Sequence, residues 1–185
     1  SNPHLPETDL DTPALLLDVA ALDRNIARMA AFARQTGVSL RPHTKTHKCP
    51  HIAAKQIAAG AIGVTCQKLG EAEVMAAAGI GGLLIANQVV GPAKIARLVE
   101  LARRTGVIVA VDDPHNTASL SAAASAAGVT IGVLVEVEVA AGIAVRVKVG
   151  VEVGVNVLLG VLVGVSVCVA VVLAVGASPM GQASS

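Results

Sequence analysis

Aromatic side chains are almost missing from this chain: its 185 residues include one Phe, no Trp and no Tyr. Without rings there are no platforms on which bases stack, so a nucleic-acid partner is not expected. An excess of one charge is missing too. Fourteen Lys and Arg stand against 13 Asp and Glu, a formal charge of +1, which leaves no broad basic footprint for a phosphate backbone. Cysteine is scarce and odd in number. Cys49, Cys66 and Cys168 lie far apart, do not make a disulfide framework, and suit a reducing cytoplasm. The opening Ser1-Asn2-Pro3-His4-Leu5-Pro6-Glu7-Thr8-Asp9 lacks the apolar core of a signal peptide, and Ser1 reads as an engineering or processing scar. No Gly-x-Gly-x-x-Gly follows the first apolar run, so a Rossmann dinucleotide site lacks its fingerprint.

What is present is a repeating alternation of short apolar runs and helical periods. Ala14–Leu17 reads as a strand ended by Asp18, an N-cap for a helix from Val19 to Gln35 that Gly37 stops. Val38–Leu40 reads as the next strand, and Pro50 opens a helix that Gly60 closes. The pattern continues with strands at 62–65, 83–86, 107–111 and 129–135. Helices are expected at 70–78, at 92–104, and from a cap at Asn116 or Thr117 to Ala127. Six strands alternating with five helices on short connections predict parallel βα units, either as an open sheet or as a barrel. The length suits one domain with a real core, or part of a larger one.

One stretch departs from the Ala, Val, Gly and Leu background. Arg41-Pro42-His43-Thr44-Lys45-Thr46-His47-Lys48-Cys49-Pro50 is crowded with basic and imidazole side chains. It lies where a strand hands over to a helix, the end of a βα unit at which parallel folds keep their chemistry. A lysine pressed by Lys48, Arg41 and two imidazoles has its ammonium form disfavoured, and an amine that loses its proton easily suits Schiff-base chemistry with an aldehyde. A solvated basic loop is the plain alternative. His43, His47, Cys49 and His51 are metal-ligand types, but the spacing H-x3-H-x-C-x-H matches no usual zinc pattern. Cys66, Gln67 and Asn87 fall at predicted strand exits, and Asp112 and Asp113 before Pro114 read as turn residues.

The ten-residue motif resembles the cofactor-lysine segment of the D-threonine aldolase and D-serine dehydratase family, pyridoxal-phosphate enzymes of fold type III. Leu10-Asp11-Thr12-Pro13-Ala14-Leu15 upstream agrees, as does Gly63-Val64-Thr65-Cys66-Gln67-Lys68-Leu69-Gly70-Glu71-Ala72-Glu73 downstream. The resemblance covers residues 8 to about 137. It implies an α/β fold, a partial or altered TIM-like (β/α) barrel of alanine-racemase type, over residues 1–137. It also implies pyridoxal 5'-phosphate as cofactor, with Lys45 forming the internal aldimine as the catalytic residue and His43 and His47 beside the cofactor. The implied reaction is lyase or aldolase cleavage of D-β-hydroxy amino acids, small-molecule substrates handled in the cytoplasm by a homodimer. The family also uses a divalent metal held by a His plus a Cys or Asp on a second, mostly β domain. No histidine follows His115 here, so those ligands are absent from this chain and no metal site is assigned. The family's Arg-Cys-Gly segment and its aromatic near the cofactor have no counterpart either, Val145-Arg146-Val147 being a poor substitute.

Beyond residue 137 the pattern changes. From Ile131 to Val171 nearly every odd position is Val, Ile or Leu, a period of two that means strand, yet no Pro or Asn-Gly turns it. Residues 138–185 therefore read as a Val/Gly-rich low-complexity tail with β patterning. Within it, 157–177 is uncharged and long enough for a bilayer span of about 20 residues, but period-two Val and no basic flank favour strand over a membrane helix. Rival readings are a non-catalytic pyridoxal-phosphate-binding single-domain barrel, an inactive truncated or engineered chain, and a membrane-anchored one.

Overall fold

A computed structural model of the chain describes residues 9–136 and the strand at 172–175. It divides into two compact units, Ser1–Ser39 and Leu40–Ser185.

In the first unit the regular element is α1 (Val19–Thr36). Asp18 caps it as its sequence position suggests, its side chain accepting from the Ala21 N–H at 2.8 Å. At the other end Gly37 turns left-handed (φ 69°). Its N–H reaches Arg34 O at 3.4 Å and the Val38 N–H reaches Ala33 O at 3.1 Å, the paired bonds of a Schellman stop. The strand expected at Ala14–Leu17 does not form, and Leu15, Leu16 and Leu17 are exposed. A strand needs a partner edge, and among the described residues of this unit α1 offers none.

The second unit is a sheet with β1 (Val64–Cys66), β2 (Leu83–Gln88), β3 (Val107–Val111) and β4 (Ile131–Val135) parallel and in chain order. Its last strand, β5 (Val172–Val175), pairs antiparallel with β4. Helices α3 (Leu69–Ala77), α4 (Pro92–Ala102) and α5 (Pro114–Ala127) link successive parallel strands, and α2 (Pro50–Ala58) precedes them. Each helix packs on the next, α2 on α3, α3 on α4, α4 on α5. A doubly wound sheet reverses its strand order, whereas these strands advance one place at a time with their helices side by side, the arrangement of a barrel. The domain is thus an α/β unit, part of a TIM-like (β/α) barrel, as its sequence leads one to expect.

Period two places Leu83 and Ile85, Val107 and Val109, and Ile131 and Val133 on one face of the sheet. They are buried with Ala72, Met75, Leu98, Leu120 and Ala124 from the helices. Fully burying a Leu, Ile or Met side chain stabilises by about 1.5–3 kcal/mol, so this shared layer is what holds the unit together. At the start of β1 and β2 two backbones come close: a Cβ on Gly63 would overlap Gly82 O and the Arg41 guanidinium, which itself donates to Gly82 O.

Several boundaries differ from the sequence reading. The expected strand at Val38–Leu40 is not a regular strand. Instead an extended edge lies two or three residues later, with Ile62 N–H donating to Leu40 O at 2.9 Å and Thr65 N–H to Pro42 O at 2.7 Å. Pro42 has no N–H to return, so the ladder ends in a single parallel bridge, His43 with Thr65. The N-cap of α5 is Asp113, accepting from Asn116 N–H at 2.7 Å, rather than Asn116 or Thr117. Pro114 at the first helical position moves the start forward. The domain boundary expected at 137/138 lies outside the described residues. So does all of the 157–177 candidate span except 172–175, which is the strand β5. Among the described residues no helix is long and apolar enough to cross a membrane.

Candidate active site

The C-terminal ends of the parallel strands share one edge of the sheet, and the basic motif emerges there. Chain leaving the His43–Thr65 bridge enters a short 3-10 turn, Thr44–Thr46, that carries Lys45. Four bonds fix this turn. The Thr44 hydroxyl, fully buried, donates to Thr65 O at 3.1 Å. Its carbonyl accepts from His47 N–H at 3.2 Å and Lys48 N–H at 2.7 Å. His43 caps the turn, its Nδ1 accepting from the Lys45 N–H at 3.2 Å. Lys45 itself is exposed, so its amine stands open to solvent on a braced backbone.

The same cap determines which nitrogen of His43 carries the proton. With Nδ1 accepting, the neutral ring must bear its hydrogen on Nε2, leaving that atom a donor. Burial holds the His43 pKa below the usual imidazole value, and the Lys45 charge adds to this while Glu71 opposes it. His47 is set differently. Its Nδ1 accepts from Cys49 N–H at 3.0 Å, while Nε2 is buried and has no hydrogen bond of normal geometry among the described residues. Gln56 Oε1 is also buried and unsatisfied, and Gln56 favours the charged ring. Burial still dominates and keeps the His47 pKa low. Of the sequence-selected imidazoles, the turn thus brings His43 to Lys45, while His47 turns its ring into the protein beside α2.

After His47 the backbone makes an unusual turn. Lys48 has φ 47°, a left-handed conformation that costs a side-chain-bearing residue about 1–2 kcal/mol. Its ammonium lies 3.4 Å from Glu71 Oε1, and Glu71 Oε2 accepts from the Gln67 N–H at 2.8 Å. Burial alone would raise the Glu71 pKa. The Gln67 bond and the charges of Lys48 and Lys68 outweigh it and hold the carboxyl below its ordinary value. The sequence shows Glu71 only as a first-turn helix residue; its hold on the lysine loop has no local signal.

Elsewhere on this edge Gln88 is the organising side chain. Its Nε2 donates to Asp112 Oδ2 at 2.9 Å and to Glu136 Oε2 at 2.8 Å, tying the ends of β2, β3 and β4 together. Sequence reading singles out Asn87 instead. The β2–β3 register slips between Ile85 and Gln88, so the strand exits at Gln88, and Asn87 Oδ1 merely accepts from the Gln88 N–H at 2.9 Å. Cys66 is buried beneath Thr44, and burial pushes its thiol up, away from nucleophilic use. Cys49 and Cys66 are both free thiols. Among the described residues no three His, Cys, Asp or Glu side chains gather as metal donors.

The chain is similar to known proteins over much of its length. The family model "Alanine racemase, N-terminal domain" matches residues 17–154. A D-threonine aldolase of Arthrobacter sp. is 49% identical over 123 residues, 66% of this chain and 32% of that protein. A 3-hydroxy-D-aspartate aldolase of Paracoccus denitrificans is 46% identical over 125 residues, with the same coverage. Among solved structures, D-threonine aldolase from Filomicrobium marinum superposes with a TM-score of 0.71 at 51% identity, over 74% of this chain and 37% of that one. The D-threo-3-hydroxyaspartate dehydratase from Delftia sp. HT23 gives 0.58 at 40% identity, over 62% and 30%. The chain therefore spans about a third of the length of these relatives. With a braced lysine turn at the C-terminal edge of a parallel βα sheet and a match over most of its length, the chain belongs to the family of the alanine racemase N-terminal domain.

Proposed function

We propose that this chain is the cofactor-lysine portion of a pyridoxal-phosphate-dependent lyase acting on D-β-hydroxy amino acids, with Lys45 the amine that holds the cofactor. The exposed Lys45 on a fixed turn at the active edge of the sheet is the observation that carries the reading. An aldehyde needs an amine it can reach, and exposed Lys45 on its braced turn fits that requirement. Family membership implies pyridoxal phosphate, and the relatives named above are aldolases and a dehydratase.

When bound, pyridoxal phosphate supplies an electron sink for bond breaking next to the amino group. The protein's share is placement and proton movement. Lys45 carries the cofactor and moves the proton at the substrate Cα. His43 offers its Nε2–H to a polar group of cofactor or substrate, as a donor and not as a base, because Nδ1 is committed to the Lys45 backbone. His47, with its ring turned inward, supports the loop from behind. A homodimer and a reducing compartment go with this reading, the latter suited to the free Cys49 and Cys66.

The test is to add pyridoxal phosphate to the purified chain and to Lys45→Ala, record visible absorption, reduce with borohydride and map the labelled peptide. A band and a label at residue 45, both lost in the variant, are expected. Equal spectra in the two proteins overturn the reading.

A further inference from the structure

Resting on the reading of Lys45 as the cofactor amine, we infer that Thr44 is the residue that positions it. Thr44 neighbours the lysine in sequence, but its side chain points the other way, into the protein, where it is fully buried. Its hydroxyl donates to Thr65 O at 3.1 Å on the strand β1, at the last rung shared by that strand and the 40–43 edge. Its carbonyl accepts two backbone N–H groups from the far side of the turn, His47 at 3.2 Å and Lys48 at 2.7 Å. Thr44 is thus the one residue of the turn bonded both to the sheet and to the chain that leaves the turn.

The neighbouring bonds show why this matters for Lys45 more than for the fold. Helix α2 has its own start at Pro50, and β1 pairs with β2 along its whole length, so neither depends on the Thr44 hydroxyl. What depends on it is where the three-residue turn sits above the strand end. Without that bond the ties left to this segment are backbone at Pro42, the His43 bridge, the Thr65 hydroxyl on Arg41 O and the exposed Lys48–Glu71 pair, none of which engages residues 44–46 themselves. Reaction at an amine depends steeply on where the amine is held, so slack in the turn lowers selective reactivity at Lys45 without unfolding the unit. Thr65 repeats the logic from the strand side, its hydroxyl donating to Arg41 O at 3.1 Å.

Two variants separate positioning from bulk. Thr44→Val keeps the shape and removes the hydroxyl; Thr44→Ser keeps the hydroxyl and removes a methyl. Each is treated with pyridoxal phosphate and borohydride, and label at Lys45 is compared with label at exposed Lys94 in the same molecules, alongside the thermal midpoint. In the unsubstituted chain Lys45 is expected to dominate. In Thr44→Val the Lys45-to-Lys94 ratio is expected to fall about tenfold while the protein still melts cooperatively, and Thr44→Ser is expected to restore most of the ratio despite its cavity. An unchanged ratio in Thr44→Val, or a ratio that follows the melting temperature across both variants, overturns the positioning role and leaves the function of Lys45 standing. No preference for Lys45 in the unsubstituted chain overturns both.

Discussion

Gly63→Ala is the sharpest probe of how this sheet is assembled. A Cβ at residue 63 would overlap Gly82 O and the Arg41 guanidinium. The first is backbone at the start of β2 and cannot swing aside; the second is half-buried and already engaged with that same carbonyl. Relief requires β1 and β2 to part, or Arg41 to leave Gly82 O. Overpacking of this kind costs about 1–3 kcal/mol, and a hydrogen bond to a charged group is worth about 1.5–3 kcal/mol. If only one remedy is taken, a loss of about 2–3 kcal/mol follows, which for a domain of this size lowers the melting temperature by roughly 5–10 °C. Gly70→Ala is the control. Gly70 lies in the first turn of α3 with no atom within 4 Å of the added methyl, so it should gain up to about 1 kcal/mol. Calorimetry and urea unfolding of the three proteins decide the matter. A Gly63→Ala protein as stable as its parent would mean that the two strands do not approach as described, and the account of the sheet start would be wrong.

Stability should also fall as pH drops from about 7 to 5, because His43 and His47 both have folded pKa values below the unfolded imidazole value. The unfolded chain then binds more protons, so the stability is intact above the unfolded pKa and is lost as pH falls through it, levelling off below the folded values. Glu71 adds a second loss at lower pH, as its depressed carboxyl is protonated. Urea midpoints across this range that stay flat would refute the first step. Glu71→Gln should lower the His43 titration midpoint seen by NMR, since the lost carboxylate is the one influence that raises it. The effect on global stability should stay below about 1 kcal/mol, because Lys48 is 61% exposed and its pair with Glu71 is screened. A His43 midpoint that rises or stays put would show that the two groups do not sense each other.

The βα alternation was legible because period two and the Gly and Pro stops act locally: β3 forms at Val107–Val111 as read, and α2 to α4 agree to within two residues. Strand existence was less legible at the start, where Leu15-Leu16-Leu17 has the right composition but meets no strand edge among the described residues of its own unit. Lys45 and His43 stood out by composition against a bland background. What holds them did not. The Thr44–Thr65 bond spans 21 residues, the Lys48–Glu71 pair 23, and the Gln88–Glu136 bond 48. Such partners share no periodicity, so nothing short of the folded chain brings them together. Gln88 was hidden for another reason: a register slip moves the strand exit by one residue, and no turn residue announces it.

The hydrogen bond from the Lys45 N–H to His43 Nδ1 makes that ring a mechanical part as well as an electrical one. A second proton can enter imidazole only at the unprotonated nitrogen, which here is the atom clasping the lysine's backbone. Acidifying the ring therefore replaces an acceptor with a donor pointed at another donor, and the clasp must open. Charge on His43 and the seating of Lys45 are then read out together, and neither can be changed without the other.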